Sequence, residues 1–304
     1  MAYAHERDMV GYGETPPHPQ WPNGARVAVS FVLNYEEGGE YAFDNGDNIS
    51  ETYLAEIVGL QPQPGCRFVA SESIYDFGSR VGGWRIKRLF DERKMPMTVY
   101  AVGQAVEKNP DFIRAMHDSG HEIASHHYRW IDYSAMAIDD ERAHLKKAIS
   151  AIEKVTGERP VGIYGGRTSL NTRRLVAEDG GFLYESDAYN DELPYWEHVD
   201  GHDQLIVPYM LDNNDFKYAT LPSWGGPEAF FDHNKATFDM LYREGTTAPK
   251  MMSVGLHCRL SGRPGRAEIL ARFLDYVASH DNVWVCTRRQ IAEHWHQNFP
   301  TVSS

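Results

Sequence analysis

Eight short apolar runs, rich in β-branched and aromatic residues, alternate along the chain with helical patterns. That alternation limits the fold more than any other feature. The runs stand at 27–33 (VAVSFVL), 97–102, 121–125, 161–164, 182–186, 205–209, 251–257 and 283–286. Each has the length of a strand and falls well short of a bilayer span. Between them, 109–120 carries a proline at an early helical position and a stop at Gly120. Residues 138–157 begin with carboxylates and end with Lys154 and Gly157, as the helix dipole favours. Further helices fit 171–179, 228–244, 265–280 and 288–297. Strands separated by helices pair in parallel through crossover connections. Seven or eight such units point to a closed or nearly closed β/α barrel, and one domain over 1–304 is the simplest division.

Residues 38–82 break the pattern. This long insertion after the first strand holds glycine-rich turns, one expected short helix near 50–59, and Glu72, Tyr75 and Arg80, which could cover a site or meet a subunit. The formal net charge of −13 argues against nucleic acid or an anionic membrane as partner. The polar, proline-rich start shows no signal-peptide pattern, and three sparse cysteines suggest reduced thiols, so a cytoplasmic location is expected.

In a β/α barrel the chemistry sits at the C-terminal ends of the strands. Five expected strands bring ionisable groups to that rim. Glu36 and Glu37 end the first ("LNYEEGGE"), His126 the third ("HEIASHHYRW") and Arg167 follows the fourth ("YGGRTS"). Asp187 ends the fifth ("YESDAYNDELPYW") and His257 the run at 251–257 ("VGLHCRL"). Two adjacent buried carboxylates repel, so one of the pair is expected to have its pKa raised toward neutrality. His126 and His127 are neighbours on an extended segment and should face opposite ways. Cys258 should likewise face away from His257, which speaks against a nucleophilic thiol.

These residues, in this order, resemble the polysaccharide deacetylase superfamily of the NodB-homology fold. The resemblance implies an α/β fold with a distorted or incomplete (β/α) barrel of seven to eight strands. Two departures stand out. Glu36-Glu37 replaces the family's Asp-Asp, and Trp130 stands four residues after His126, where a second metal histidine is expected. Indole has no lone pair to give a metal. The stretches "YDFGSRVGGWR", "YRWIDY", "TRRLVAEDGGFLYESD" and "GLHCRLSGRPGR" are similar to a narrower group, the metal-independent allantoinases and cyclic imide hydrolases.

That likeness implies a hydrolase that opens a cyclic amide, allantoin to allantoate or a cyclic imide, with a small cyclic ureide or imide as its ligand. Glu36 takes the position of the catalytic base and His257 is the expected general acid. Asp187 is expected to orient a histidine or Arg167. Glu37, His126, Trp130 and Arg167 are expected to bind substrate: Glu37 by bonding His126 or ring N–H groups, Trp130 by stacking on a flat ring, and Arg167 by holding a carbonyl or oxyanion. No cofactor is required on this reading. A divalent metal could bind weakly through Glu37 and His126, the two residual ligand candidates. The likeness also implies a homotetramer. A metal-dependent sugar N-deacetylase and a catalytically inactive ligand-binding barrel are the competing readings.

Overall fold

The computed structural model describes residues 7–301 apart from 58, 221 and 222. Among the described residues, nine strands form one curled sheet: β1 Val27–Tyr35, β2 Thr98–Ala101, β3 Glu122–Ser125, β4 Gly162–Ile163, β5 Tyr184–Glu185, β6 Tyr195–Val199, β7 His202–Ile206, β8 Lys250–His257 and β9 Val283–Val285. Their order is β6-β7-β5-β4-β3-β2-β1-β8, with β9 also paired to β1. All pairs are parallel except β6 with β7. The helices are α1 Val69–Phe77, α2 Gly83–Arg93, α3 Gly103–Lys108, α4 Pro110–Asp118, α5 Ile138–Thr156, α6 Thr172–Asp179, α7 Pro227–Glu244, α8 Pro264–Ala278 and α9 Arg288–Asn298. No helix among the described residues is long and apolar enough to cross a membrane.

The expected incomplete barrel is therefore present. Strand β1 shows how it is built, because alternate residues of a strand face opposite ways. Val27, Val29, Phe31, Leu33 and Tyr35 belong to the outer core between sheet and helices. Ala28 and Val32 belong to the inner core with Tyr100, Tyr164, Tyr209 and Trp295. Phe31 lies fully buried, 5.2 Å from Phe90 and 6.2 Å from Phe273 between ring centroids. Truncating such a side chain to alanine costs about 3–5 kcal/mol. Trp21, whose indole N–H donates to the Lys250 carbonyl at 3.0 Å, joins Trp295 of α9 in closing the end of the barrel where β8 begins.

Among the described residues the sheet does not close into a continuous ladder. The ends of its main strand order are β6 and β8. The segment that follows β7 reaches β8 through one parallel bridge, Asn214 to Gly255.

Two local expectations are corrected. Strand β6 was not anticipated; it forms a hairpin with β7 around Asp200 and Gly201, whose φ angles of 47° and 88° suit a tight two-residue turn. The helix expected near 50–59 is absent, because Leu54 and Glu56 take positive φ angles of 58° and 56°, which no α-helix accommodates. The first α-helix after β1 is α1, which runs through a π-helical stretch, Gly78–Gly82, into α2. A Cβ on Gly78 would overlap the Glu37 side chain, and one on Gly82 would overlap the Cys258 carbonyl. The glycines let this turn lie directly against the rim.

Candidate active site

A cavity of about 330 Å³ opens at the C-terminal rim of the sheet, within the range of small-molecule sites. Five of the seven expected site residues line it: Glu36, His126, Trp130, Arg167 and His257. Glu37 and Asp187 do not; both support the rim from behind.

The adjacent carboxylates are held by a cation that sequence reasoning missed. Arg259 is fully buried, and its Nη2 donates to Glu36 Oε2 at 2.6 Å. Its Nη1 and backbone N–H both donate to Glu37 Oε1 at 3.2 Å. Glu37 Oε2 accepts from the Glu36 backbone N–H at 3.1 Å, so both Glu37 oxygens are occupied. Glu37 thus bonds Arg259 rather than His126. Residue 259 lies two places beyond His257, and that spacing was the available signal.

The carboxylate that rises is Glu37. Burial pushes its pKa up, against Arg259 and with help from the Glu36 charge. Burial opposes charge on Glu36 too, but Arg259 and His257 outweigh it and hold Glu36 well below the usual carboxylate range.

His257 is oriented by Asp215, not Asp187. Its Nδ1 donates to Asp215 Oδ1 at 2.6 Å, and its backbone N–H donates to Oδ2 at 2.8 Å. Ser261 Oγ donates to the same Oδ2 at 2.6 Å. The other ring nitrogen, Nε2, stands 3.4 Å from Glu36 Oε1. Burial disfavours the imidazolium, but Glu36 and Asp215 overcome it and raise the His257 pKa to about 9. Asp215 opens a short 3₁₀ turn, Asp215–Tyr218, inside the irregular stretch "LDNNDFKY", and offered no periodicity to find it by.

Asp187 accepts the backbone N–H groups of Gly165 and Gly166, each at 2.6 Å, and so shapes the loop that carries Arg167. Burial raises its pKa against those two bonds. Arg167 does not pair with it. The guanidinium instead donates to Glu51 Oε2 at 3.0 Å and lies over the Trp130 ring, 3.8 Å from its centroid. The indole expected to receive a flat substrate ring therefore stacks on Arg167.

His126 Nδ1 lies 2.7 Å from the Tyr164 carbonyl, which only accepts, so Nδ1 carries a proton. Nε2 then faces Glu36 Oε1 at 3.5 Å. His127 has a φ of 58° and turns the other way, stacked on Tyr133 at 4.5 Å. Burial holds it neutral, with a pKa near 3.

The insertion forms one wall. Tyr53 and Leu54 line the cavity, while Tyr75 donates to the Tyr53 carbonyl at 2.7 Å and lies beneath the Arg259 guanidinium. Glu72 pairs with Arg67 at 2.8 Å.

The donor set does not suit the metal that the fold family implies. Among the described residues no group of three or more His, Cys, Asp or Glu side chains could hold one. Glu37 is saturated by Arg259 and the Glu36 N–H, Trp130 offers no lone pair, and a guanidinium already pairs with both carboxylates.

Residues 72–182 match the family model described as polysaccharide deacetylase. A Schizosaccharomyces pombe protein named "Putative polysaccharide deacetylase" is 44% identical over 314 residues, covering 97% of this chain and 98% of its own length. Two crystal structures superpose with TM-scores of 0.96, each covering 98% of this chain and 100% of the other. One is a "probable Polysaccharide deacetylase" from Pseudomonas aeruginosa PAO1, 52% identical; the other is Puue allantoinase, 51% identical.

Proposed function

Since the chain belongs to the polysaccharide deacetylase family, we propose that it is a hydrolase that opens a cyclic amide by adding water across a ring C–N bond, with allantoin as the leading substrate. The observation that carries this reading is the Glu36–His257 contact at 3.4 Å, in which neighbouring groups hold one partner ionised and the other protonated. Environments that push two pKa values apart make an acid–base pair.

Glu36 Oε1 accepts on one side of the cavity, beside His126 Nε2 at 3.5 Å, so a water there donates to Glu36 and turns a lone pair toward a carbonyl carbon. Glu36 takes the water proton as the C–O bond forms. Protonated His257 delivers a proton from Nε2 to the ring nitrogen as the C–N bond breaks. Arg167 supplies positive charge beside the carbonyl oxygen that becomes anionic. Trp130 holds Arg167 and narrows the cavity toward a small ring. None of these steps calls for a metal.

The likeness to Puue allantoinase favours a ureide. A cyclic imide is the alternative on the same groups. The equal likeness to the Pseudomonas protein keeps a sugar N-deacetylase as the second reading, and the small cavity volume of about 330 Å³ speaks against it. The test is an initial-rate panel of allantoin, hydantoin, succinimide and a chitooligosaccharide, with and without chelator, on wild type and His257→Ala. Ring opening that survives chelation and is lost with His257 supports the proposal. Acetate release that the chelator stops would replace it with the deacetylase reading.

A further inference from the structure

Asn34 is the penultimate residue of β1 and Glu36 follows the strand's end; both line the cavity. Its side chain is 1% exposed, and only its nitrogen is used. Nδ2 donates to the Leu256 carbonyl at 3.2 Å and to the Tyr209 hydroxyl at 3.2 Å. A carbonyl cannot donate, so the Leu256 contact fixes which end of the amide is nitrogen. Asn214, which also lines the cavity, donates to the same hydroxyl at 3.1 Å and braces the arrangement. That leaves Asn34 Oδ1 as a buried acceptor with no donor from the protein. Such atoms are uncommon because an unsatisfied buried acceptor is costly.

We propose that Asn34 is a specificity-determining residue whose Oδ1 accepts a hydrogen bond from a ring N–H of the substrate. The proposal rests on the cyclic-amide reading and narrows it. The preferred substrates are rings with a free N–H within reach of Glu36 and His257. Rings that are alkylated at that nitrogen, and lactones, are discriminated against. Glu36 and His257 handle the water and the leaving nitrogen, whereas Asn34 reads a donor and fixes which way round the ring lies.

The test compares kcat/KM for hydantoin, 1-methylhydantoin and 3-methylhydantoin in wild type, Asn34→Ala and Asn34→Asp, with melting temperatures confirming that each variant folds. Wild type should prefer hydantoin over one of the two methylated rings. Asn34→Ala should lower the hydantoin value about fivefold to a hundredfold, the cost of leaving a buried ring N–H without its acceptor, and leave that methylated ring nearly unchanged. Asn34→Asp keeps an acceptor of the same shape and should keep the preference even if all rates fall. An equal fall for all three rings in Asn34→Ala would reduce Asn34 to a structural support. A rise for the methylated ring with hydantoin unchanged would make it only a steric wall. Either result overturns the proposal and leaves the cyclic-amide reading standing. If wild type opens no ring, that reading falls. Stabilisation of the protein by hydantoin then decides for Asn34 alone: dependence on Asn34 retains it, and independence or no binding removes it.

Discussion

His257 and Asp215 are joined twice, ring Nδ1 to Oδ1 at 2.6 Å and backbone N–H to Oδ2 at 2.8 Å, so one buried carboxylate fixes both the ring and the chain that carries it. The carboxylate also supplies part of the negative charge that raises the His257 pKa to about 9. A general acid works only while protonated, so activity should be level through neutral pH and fall as pH rises through about 9. Asp215→Asn keeps an acceptor for Nδ1 and removes the charge. Its alkaline limb should move to lower pH, read from a kcat profile. An unmoved limb would mean that His257 is not the titrating acid.

The same shift bears on stability. A group whose folded pKa is raised stabilises the fold fully below its unfolded value and loses that contribution as pH rises through the folded value. For His257 the window runs from 6.5 to about 9. Melting temperature should fall across that interval in wild type, and less so in Asp215→Asn.

Glu36→Gln preserves shape and removes the base. The expected loss in kcat is about 10²- to 10⁴-fold with KM little changed, the range for one positioned acid or base. Because neighbouring cations hold Glu36 ionised, no acid limb from this group is expected in the neutral range.

Arg259 pairs with two carboxylates at full burial. Arg259→Met leaves both without their cation, and breaking a buried pair from one side costs about 3–5 kcal/mol. Chemical denaturation should show that loss. Arg259→Lys should recover part of it, since an ammonium brings the charge without the fork that reaches Glu36 and Glu37 together.

Arg167 joins the insertion to the site by its bond to Glu51 and its stack on Trp130. Arg167→Ala should lower kcat/KM at least tenfold with little change in melting temperature, because the residue is partly exposed. A matching effect from Glu51→Gln would identify the pair as the unit that closes the cavity.

Much of this architecture was legible because it depends on periodicity. Strand β1 reads as one apolar run because both its faces are buried, and Pro110 and Gly157 punctuate their helices as expected. Strand β6 escaped because "YWEHV" is only half-buried, although the Asp200-Gly201 pair beside it is a hairpin signal. At the site, residues that end strands were found: Glu36, His126 and His257. Those that complete it from loops, Asp215 and Glu51, were not, because a loop residue's partner is set by where the chain returns in space. Arg259 lay within reach of strand reasoning. Asp187, expected to orient a histidine or Arg167, instead holds the backbone of Gly165 and Gly166, since a strand end does not disclose whether its carboxylate meets a side chain or a backbone turn.

The open seam of the barrel bears on how the protein should fail on heating. Between β6 and β8 the sheet lacks a continuous ladder, and the segment that bridges it at Asn214 is also the one that delivers Asp215. Local opening is easiest where backbone pairing is sparse. Breathing of the seam would therefore part His257 from its carboxylate while the other strands stay zipped. Inactivation should precede global melting, and the amides of 211–218 should exchange with solvent ahead of those in β1.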